Sequence, residues 1–80
     1  MFDQFSLYLF FRDSKYMNRI KEVLQEKGIK QTWLAEELGK SYNMVNGYVQ
    51  NRQQPRLEVL FEIAKILKVN PKDLIQANYE

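Results

Sequence analysis

One segment of the sequence combines polar and aromatic side chains with a complete lack of charge. It runs from Ser41 to Asn51 between Lys40 and Arg52, in a chain that is 28% charged. Its asparagine and glutamine amides can both donate and accept hydrogen bonds. No acidic residue occurs between Lys40 and Leu57, and the net charge of the whole chain is only +2. A single basic strip on a nearly neutral protein favours an anionic partner, although an ordinary solvated segment is the alternative.

The sequence argues against an enzyme. It contains no cysteine and no histidine, which excludes disulfides, thiolate metal sites, typical zinc sites and imidazole catalysis. Catalysis would need paired carboxylates or a lysine in a pocket, and the adjacent Glu36 and Glu37 would point about 100° apart on a helix. We therefore expect no catalytic residue, no metal site and no cofactor.

The length of 80 residues allows one domain, which we place at residues 17–77. Residues 1–16 read as an N-terminal extension and residues 78–80 as a C-terminal tail. The extension is aromatic and strand-prone but has no evident partner strand, and it lacks the features of a signal peptide. Its longest apolar run, Leu7 to Phe11, is far too short for a membrane span. Met17 is a candidate alternative start of translation.

Apolar spacing predicts two helices in the first half of the domain. The first begins at about Met17, buries Ile20, Val23 and Leu24, and stops at Gly28, which can adopt the left-handed conformation. The second spans about residues 31–38 and ends at Gly39. It should bury Leu34, Ala35 and Leu38.

A third helix is predicted from Tyr42 to about Gln50, directly after the N-cap residue Ser41. Its apolar side chains are Val45, Tyr48 and Val49, and Asn51 is suited to the left-handed position after it. Two short helices joined by a tight glycine-containing turn form a helix-turn-helix pattern. In that pattern Val45 packs beneath the bend near Ala35, and the residues expected to face outward are Tyr42, Asn43, Asn46 and Gly47.

A fourth helix from Arg56 to Leu67 has an apolar arc of roughly 220°, much wider than the stripe of a helix packed on one side. We expect this helix to contact either a second subunit or the N-terminal extension as well as its own core. The motif "NPKDLI" predicts a fifth helix with Asn70 as N-cap, Pro71 at its first position, and Leu74 and Ile75 packed inward.

Three stretches carry a family resemblance: "KGIKQTWLAEELGKS", "RQQPRLEVLFEIAKILKV" and "NPKDLI". In order, spacing and residue type they resemble the phage-repressor (Xre/Cro-like) helix-turn-helix family over residues 20–75. The resemblance implies an all-α fold, a compact five-helix repressor-like DNA-binding domain whose third helix lies in the major groove. Amides of a neutral helix can pair with adenine, and methyl-bearing or aromatic side chains can contact thymine methyl groups.

The resemblance also assigns roles to individual residues. Positions that match the base-contacting residues of the family are Tyr42, Asn43, Met44, Asn46 and Gly47. Those that match its phosphate-contacting residues are Gln31, Lys40, Ser41, Arg52, Gln53 and Arg56. Two of these residues have rival roles, because Met44 could pack at the edge of the core and Arg56 could cap its own loop.

The sequence departs from the family pattern at several positions, among them Asn51, which stands where the family often has glycine and leaves the turn intact. Gly47 lies inside the recognition helix, where glycine costs about 1 kcal/mol relative to alanine. It either allows a close approach of DNA or is a tolerated surface residue. Trp33 and Val49 are apolar where the family commonly has polar or acidic residues, and we expect both at the surface.

The leading interpretation is a small sequence-specific transcriptional regulator, most simply a repressor that binds an inverted repeat of double-stranded DNA as a homodimer. An antitoxin or a restriction–modification controller could use the same domain. The alternative from another class is a protein-interaction module that has lost DNA binding and uses Trp33, Tyr42 and the N-terminal phenylalanines. We expect a cytoplasmic, nucleoid-associated protein of a bacterium or phage, without a membrane partner or a small-molecule ligand.

Overall fold

The computed structural model describes residues 17–76, so the predicted extension over 1–16 and the tail over 78–80 lie outside the described residues. Within that range the chain forms four α-helices. They are α1 (Ile20–Lys27), α2 (Gln31–Leu38), α3 (Tyr42–Val49) and α4 (Leu57–Leu67). The predicted all-α helix-turn-helix fold is confirmed, with corrections at both ends of the domain.

The predicted stops of α1, α2 and α3 are confirmed. Gly28 and Gly39 both adopt the left-handed conformation, with φ of 66° and 68°. Asn51 follows α3 with φ 60°, a conformation that asparagine tolerates better than most residues. Each stop ends a helix of eight residues, and α2 and α3 pack against each other on either side of the turn at Gly39.

The core contains side chains from every helix. The largest fully buried ones are Ile20, Leu34, Val45, Ile63, Leu67 and Leu74. Burial of these side chains supplies most of the stability that the short helices lack by themselves. Val49 is also buried, at 3% exposure. The prediction that it lies at the surface is therefore wrong, whereas the prediction is confirmed for Trp33 at 43%.

The predicted fifth helix is wrong in type. Residues Pro71–Leu74 form one turn of 3-10 helix, and the chain is then extended over Ile75–Gln76. Asn70 is the N-cap as predicted, and its capping box includes the side chain of Asp73. Leu74 is fully buried, but Ile75 is 48% exposed and does not pack inward. The extended backbone explains this difference, because successive side chains of a strand point to opposite sides.

The first helix begins later than predicted, because Met17–Asn18 is a short strand, β1. It pairs antiparallel with β2, Ile75–Gln76, and Met17 is aligned with Gln76. The backbone N–H of Arg19 also donates to the carbonyl oxygen of Leu74 at 2.8 Å. These bonds join the two ends of the described chain. Within the described residues, no helix has the length and apolar character needed to cross a membrane.

Candidate nucleic-acid interface

The turn between α2 and α3 is closed by backbone hydrogen bonds. The N–H of Gly39 donates to the carbonyl of Glu36, and the N–H of Lys40 donates to that of Ala35, each at 3.1 Å. Ser41 then begins α3, and its Oγ accepts from the N–H of Met44 at 3.1 Å. The predicted N-cap is thus confirmed. Its geometry fixes the direction in which α3 leaves the turn.

Packing beneath the turn leaves one face of α3 open. Ala35 is 5% exposed and Val45 is fully buried, as expected for side chains near the contact between α2 and α3. On the other face Tyr42 is 48% exposed and Met44 is 41% exposed. Asn43 is also exposed. Of the two roles considered for Met44, its exposure favours the surface over the edge of the core.

Asn46 and Arg52 are brought together at the C-terminal half of this face. The Nη2 of Arg52 donates to the Oδ1 of Asn46 at 2.6 Å. The backbone N–H of Arg52 donates to the carbonyl oxygen of Gly47 at 2.9 Å. The sequence assigned one of these side chains to bases and the other to phosphates, whereas the structure makes them a hydrogen-bonded pair.

Gly47 does not face outward as predicted, because the side chain of Gln53 covers it. A Cβ atom at this position would lie 2.9 Å from the Nε2 of Gln53 and 3.2 Å from its Cγ. Gly47 is consequently buried, although Gln53 itself is exposed. The glycine makes room for a side chain of the following loop, an explanation that differs from both roles considered for it.

We expect Gly47→Ala to stabilise the protein by less than the ~1 kcal/mol that helix propensity alone would give, because Gln53 must move away from the new methyl group. In a Gln53→Ala background the same substitution should give the full gain. Urea unfolding of the four proteins in this double-mutant cycle measures the difference. Equal gains in both backgrounds would show that Gln53 does not press on this position.

The remaining predicted phosphate contacts surround α3. Lys40 is half-buried in the turn, and Arg56 is exposed at the N-cap of α4. Arg56 makes no side-chain capping hydrogen bond there, which argues against its rival role as a cap. The Nε2 of Gln31, at the start of α2, is buried without a hydrogen-bond partner within the described part of the chain.

The sequence did not predict a cluster of three amide side chains that is hydrogen-bonded to the C-terminal end of α3. Its members are Asn18, Asn51 and Gln54. The Nδ2 of Asn18 donates to the carbonyl oxygen of Tyr48 at 2.9 Å and to the Oε1 of Gln54 at 2.8 Å. The backbone N–H of Asn18 donates to the Oδ1 of Asn51, and the Nδ2 of Asn51 donates to the carbonyl oxygen of Asn18. Asn18 is 5% exposed. The low helix propensity of asparagine was the one signal that Asn18 does not belong to a helix interior.

Two helices joined by a tight glycine turn, with an open amide-bearing face on the second, define a helix-turn-helix domain. A family model described as helix-turn-helix matches residues 20–74. The chain therefore belongs to this family, and its resemblance to the phage-repressor (Xre/Cro-like) group is confirmed.

A solved structure supports the same assignment. It is the crystal structure of a Bacteroides fragilis protein that carries a provisional assignment as DNA-binding. The sequences are 44% identical, the TM-score is 0.74, and the match covers 76% of this chain and 98% of that one. No match was found among curated proteins.

Proposed function

We propose that this protein is a regulator that binds double-stranded DNA sequence-specifically and inserts α3 into the major groove. The observation that carries the proposal is the open face of α3. It presents the exposed Tyr42, Asn43 and Met44, and no acidic residue lies between Lys40 and Leu57. Hydrogen-bonding and apolar side chains are suited to base edges, whereas acids on this face would repel the phosphates.

The proposed interface has two classes of contact. Tyr42, Asn43, Met44 and Asn46 would contact bases, while Gly47 would do so only if the side chain of Gln53 moved away. The proposed phosphate contacts surround them: Gln31, Lys40, Ser41, Arg52, Gln53 and Arg56. The hydroxyl oxygen of Ser41 already caps α3, but its hydrogen remains free to donate to a phosphate.

The first test is selection of the purified full chain on random duplexes of about 30 bp, which is long enough for two half-sites. Enrichment of one motif supports sequence-specific reading. Binding without a motif, lost steeply as salt rises, would reduce the proposal to affinity for the DNA backbone.

We propose that the regulator is a repressor that binds an inverted repeat as a homodimer. In support, Leu57 and Phe61 lie one helical turn apart on α4 and are 64% and 54% exposed. We propose that a second copy of the chain covers these two side chains. The roles of antitoxin and restriction–modification controller would use the same surfaces, and a nucleoid-associated, cytoplasmic protein is consistent with each role.

Phe61→Lys is expected to convert a dimer into a monomer in sedimentation-velocity measurements, because it places a charge in the proposed apolar contact. Trp33→Lys, which changes another exposed aromatic side chain, is the matched control and should leave the mass unchanged. A monomeric parent protein, or a Phe61→Lys variant that remains dimeric, would contradict the assignment of this interface.

One observation favours a protein-interaction module as a second candidate. Trp33 lines an apolar hollow of about 330 Å³ together with Gly28, Ile29 and Lys30. A partner bound there would be held mainly by apolar contacts, so its affinity should change little with salt. DNA affinity should instead fall steeply with salt.

A further inference from the structure

The hydrogen bond between Arg52 and Asn46 fixes the orientation of the Asn46 amide. A guanidinium group has only donors, so the atom of Asn46 that faces it must be the carbonyl oxygen. The orientation therefore follows from chemistry, although the two ends of an amide are otherwise hard to distinguish. The NH₂ group of Asn46 is directed away from Arg52 and remains available to a partner.

The loop after α3 holds Arg52 in this position. Asn51 turns the chain with φ 60°, and the amide cluster fixes Asn51 to Asn18. The backbone N–H groups of Arg52 and Gln53 both donate to the carbonyl oxygen of Gly47, at 2.9 and 3.3 Å. The backbone of Arg52 is therefore hydrogen-bonded to α3, and its guanidinium group lies beside Asn46 of the same helix.

We propose that the Arg52–Asn46 pair reads guanine, an inference that rests on the proposed binding of α3 in the major groove. A free asparagine amide pairs with adenine by donating to N7 and accepting from N6. In this protein the accepting oxygen is engaged by Arg52. The pair presents the NH₂ group of Asn46 and the remaining N–H groups of Arg52, all of which are donors. Guanine is the base whose major-groove edge offers two acceptors, N7 and O6.

The test compares motifs selected by the full-length parent, Asn46→Asp and Arg52→Ala on the same random duplexes of about 30 bp. Asn46→Asp keeps an acceptor for Arg52 but replaces the NH₂ group with oxygen, so the preference for guanine at one base pair should fall about tenfold. Arg52→Ala frees the oxygen of Asn46. That base pair should then change from guanine to adenine.

Asn43→Asp is the matched control, because it makes the same chemical change on the same helix at an exposed residue. It should alter a different base pair and leave the guanine in place. A thermal melt of each variant shows that it is folded before its motif is compared.

The outcomes separate this inference from the proposal on which it depends. If the parent protein enriches no motif, both are overturned. The parent could instead enrich a motif that Asn46→Asp leaves unchanged, or a motif with adenine at the base pair that this variant alters. In either case sequence-specific binding stands and the guanine assignment is overturned.

Discussion

Replacement of Asn18 by alanine is expected to lower the free energy of unfolding by about 3 kcal/mol. The side chain is 5% exposed and connects three parts of the chain. Its Oδ1 accepts from the N–H of Ile20 at 3.0 Å, and its Nδ2 donates to the carbonyl oxygen of Tyr48 and to Gln54. Alanine would leave the N–H of the fully buried Ile20 without its partner. It would also leave the carbonyl oxygen of Tyr48 with only the N–H of Asn51 as a donor among the described residues. For a domain of this size the loss corresponds to about 15 °C in thermal midpoint.

Two further variants distinguish lost hydrogen bonds from lost packing. Asn43→Ala removes an identical amide from an exposed position of α3 and should change the free energy of unfolding by less than about 0.5 kcal/mol. Asn18→Asp conserves the shape, but it places a carboxylate oxygen beside the carbonyl of Tyr48 and the Oε1 of Gln54. It should destabilise the protein at least as much as alanine does. Denaturation curves that show Asn18→Asp to be as stable as the parent would contradict the role of these hydrogen bonds.

Arg52→Ala is expected to weaken binding to the parent's selected duplex and to an unrelated duplex by about tenfold or more, because the guanidinium group also supplies a proposed phosphate contact. This loss is additional to the change of base preference expected where Asn46 acts. The dependence of log affinity on log salt should become shallower by about one unit. Binding titrations at several salt concentrations, with the selected duplex and with an unrelated one, measure both effects. The stability of the protein should change little, since the side chain is exposed.

Asn43→Ala is the comparison that gives this experiment its meaning. Asn43 is uncharged, so the DNA affinity of Asn43→Ala should depend on salt as that of the parent does. The variant should lose the preference of the parent at one or two base pairs. If Arg52→Ala binds both duplexes as the parent does, the proposed phosphate contact is wrong. The amide cluster and the core would remain as described, because neither depends on DNA.

Local signals were enough to predict most of the fold. The spacing of Leu34, Val45 and Ile63 and the stops at Gly28 and Gly39 depend on neighbours a few residues away, so the sequence reveals them directly. The errors at the two ends of the domain lie where distant segments meet. Asn18 is extended because it bonds to residues thirty or more positions away, and Ile75 is turned outward because its segment pairs with β1.

The same distinction applies to the candidate interface. The exposure of Tyr42 and Asn43 was predicted from the helical period of α3, whereas two roles were open for Met44, which is exposed. Gly47, predicted to face outward, is buried. The contacts of Arg52 with Asn46 and of Gln53 with Gly47 depend on the path of a loop, which no periodicity describes. Composition identified the segment that we propose to contact DNA, but the hydrogen-bond partners within it are visible only in the structure.

The pairing of β1 with β2 has a consequence for protein engineering. Met17 and Gln76 are aligned partners in this ladder, and aligned residues of antiparallel strands lie about 5 Å apart. A short linker could therefore close residues 17–76 into a ring, and the chain could be reopened in an exposed loop as a circular permutant. Because residues 17 and 76 are close together, the domain could also be inserted into a surface loop of a host protein. The two ends of the host loop would then connect to residues 17 and 76.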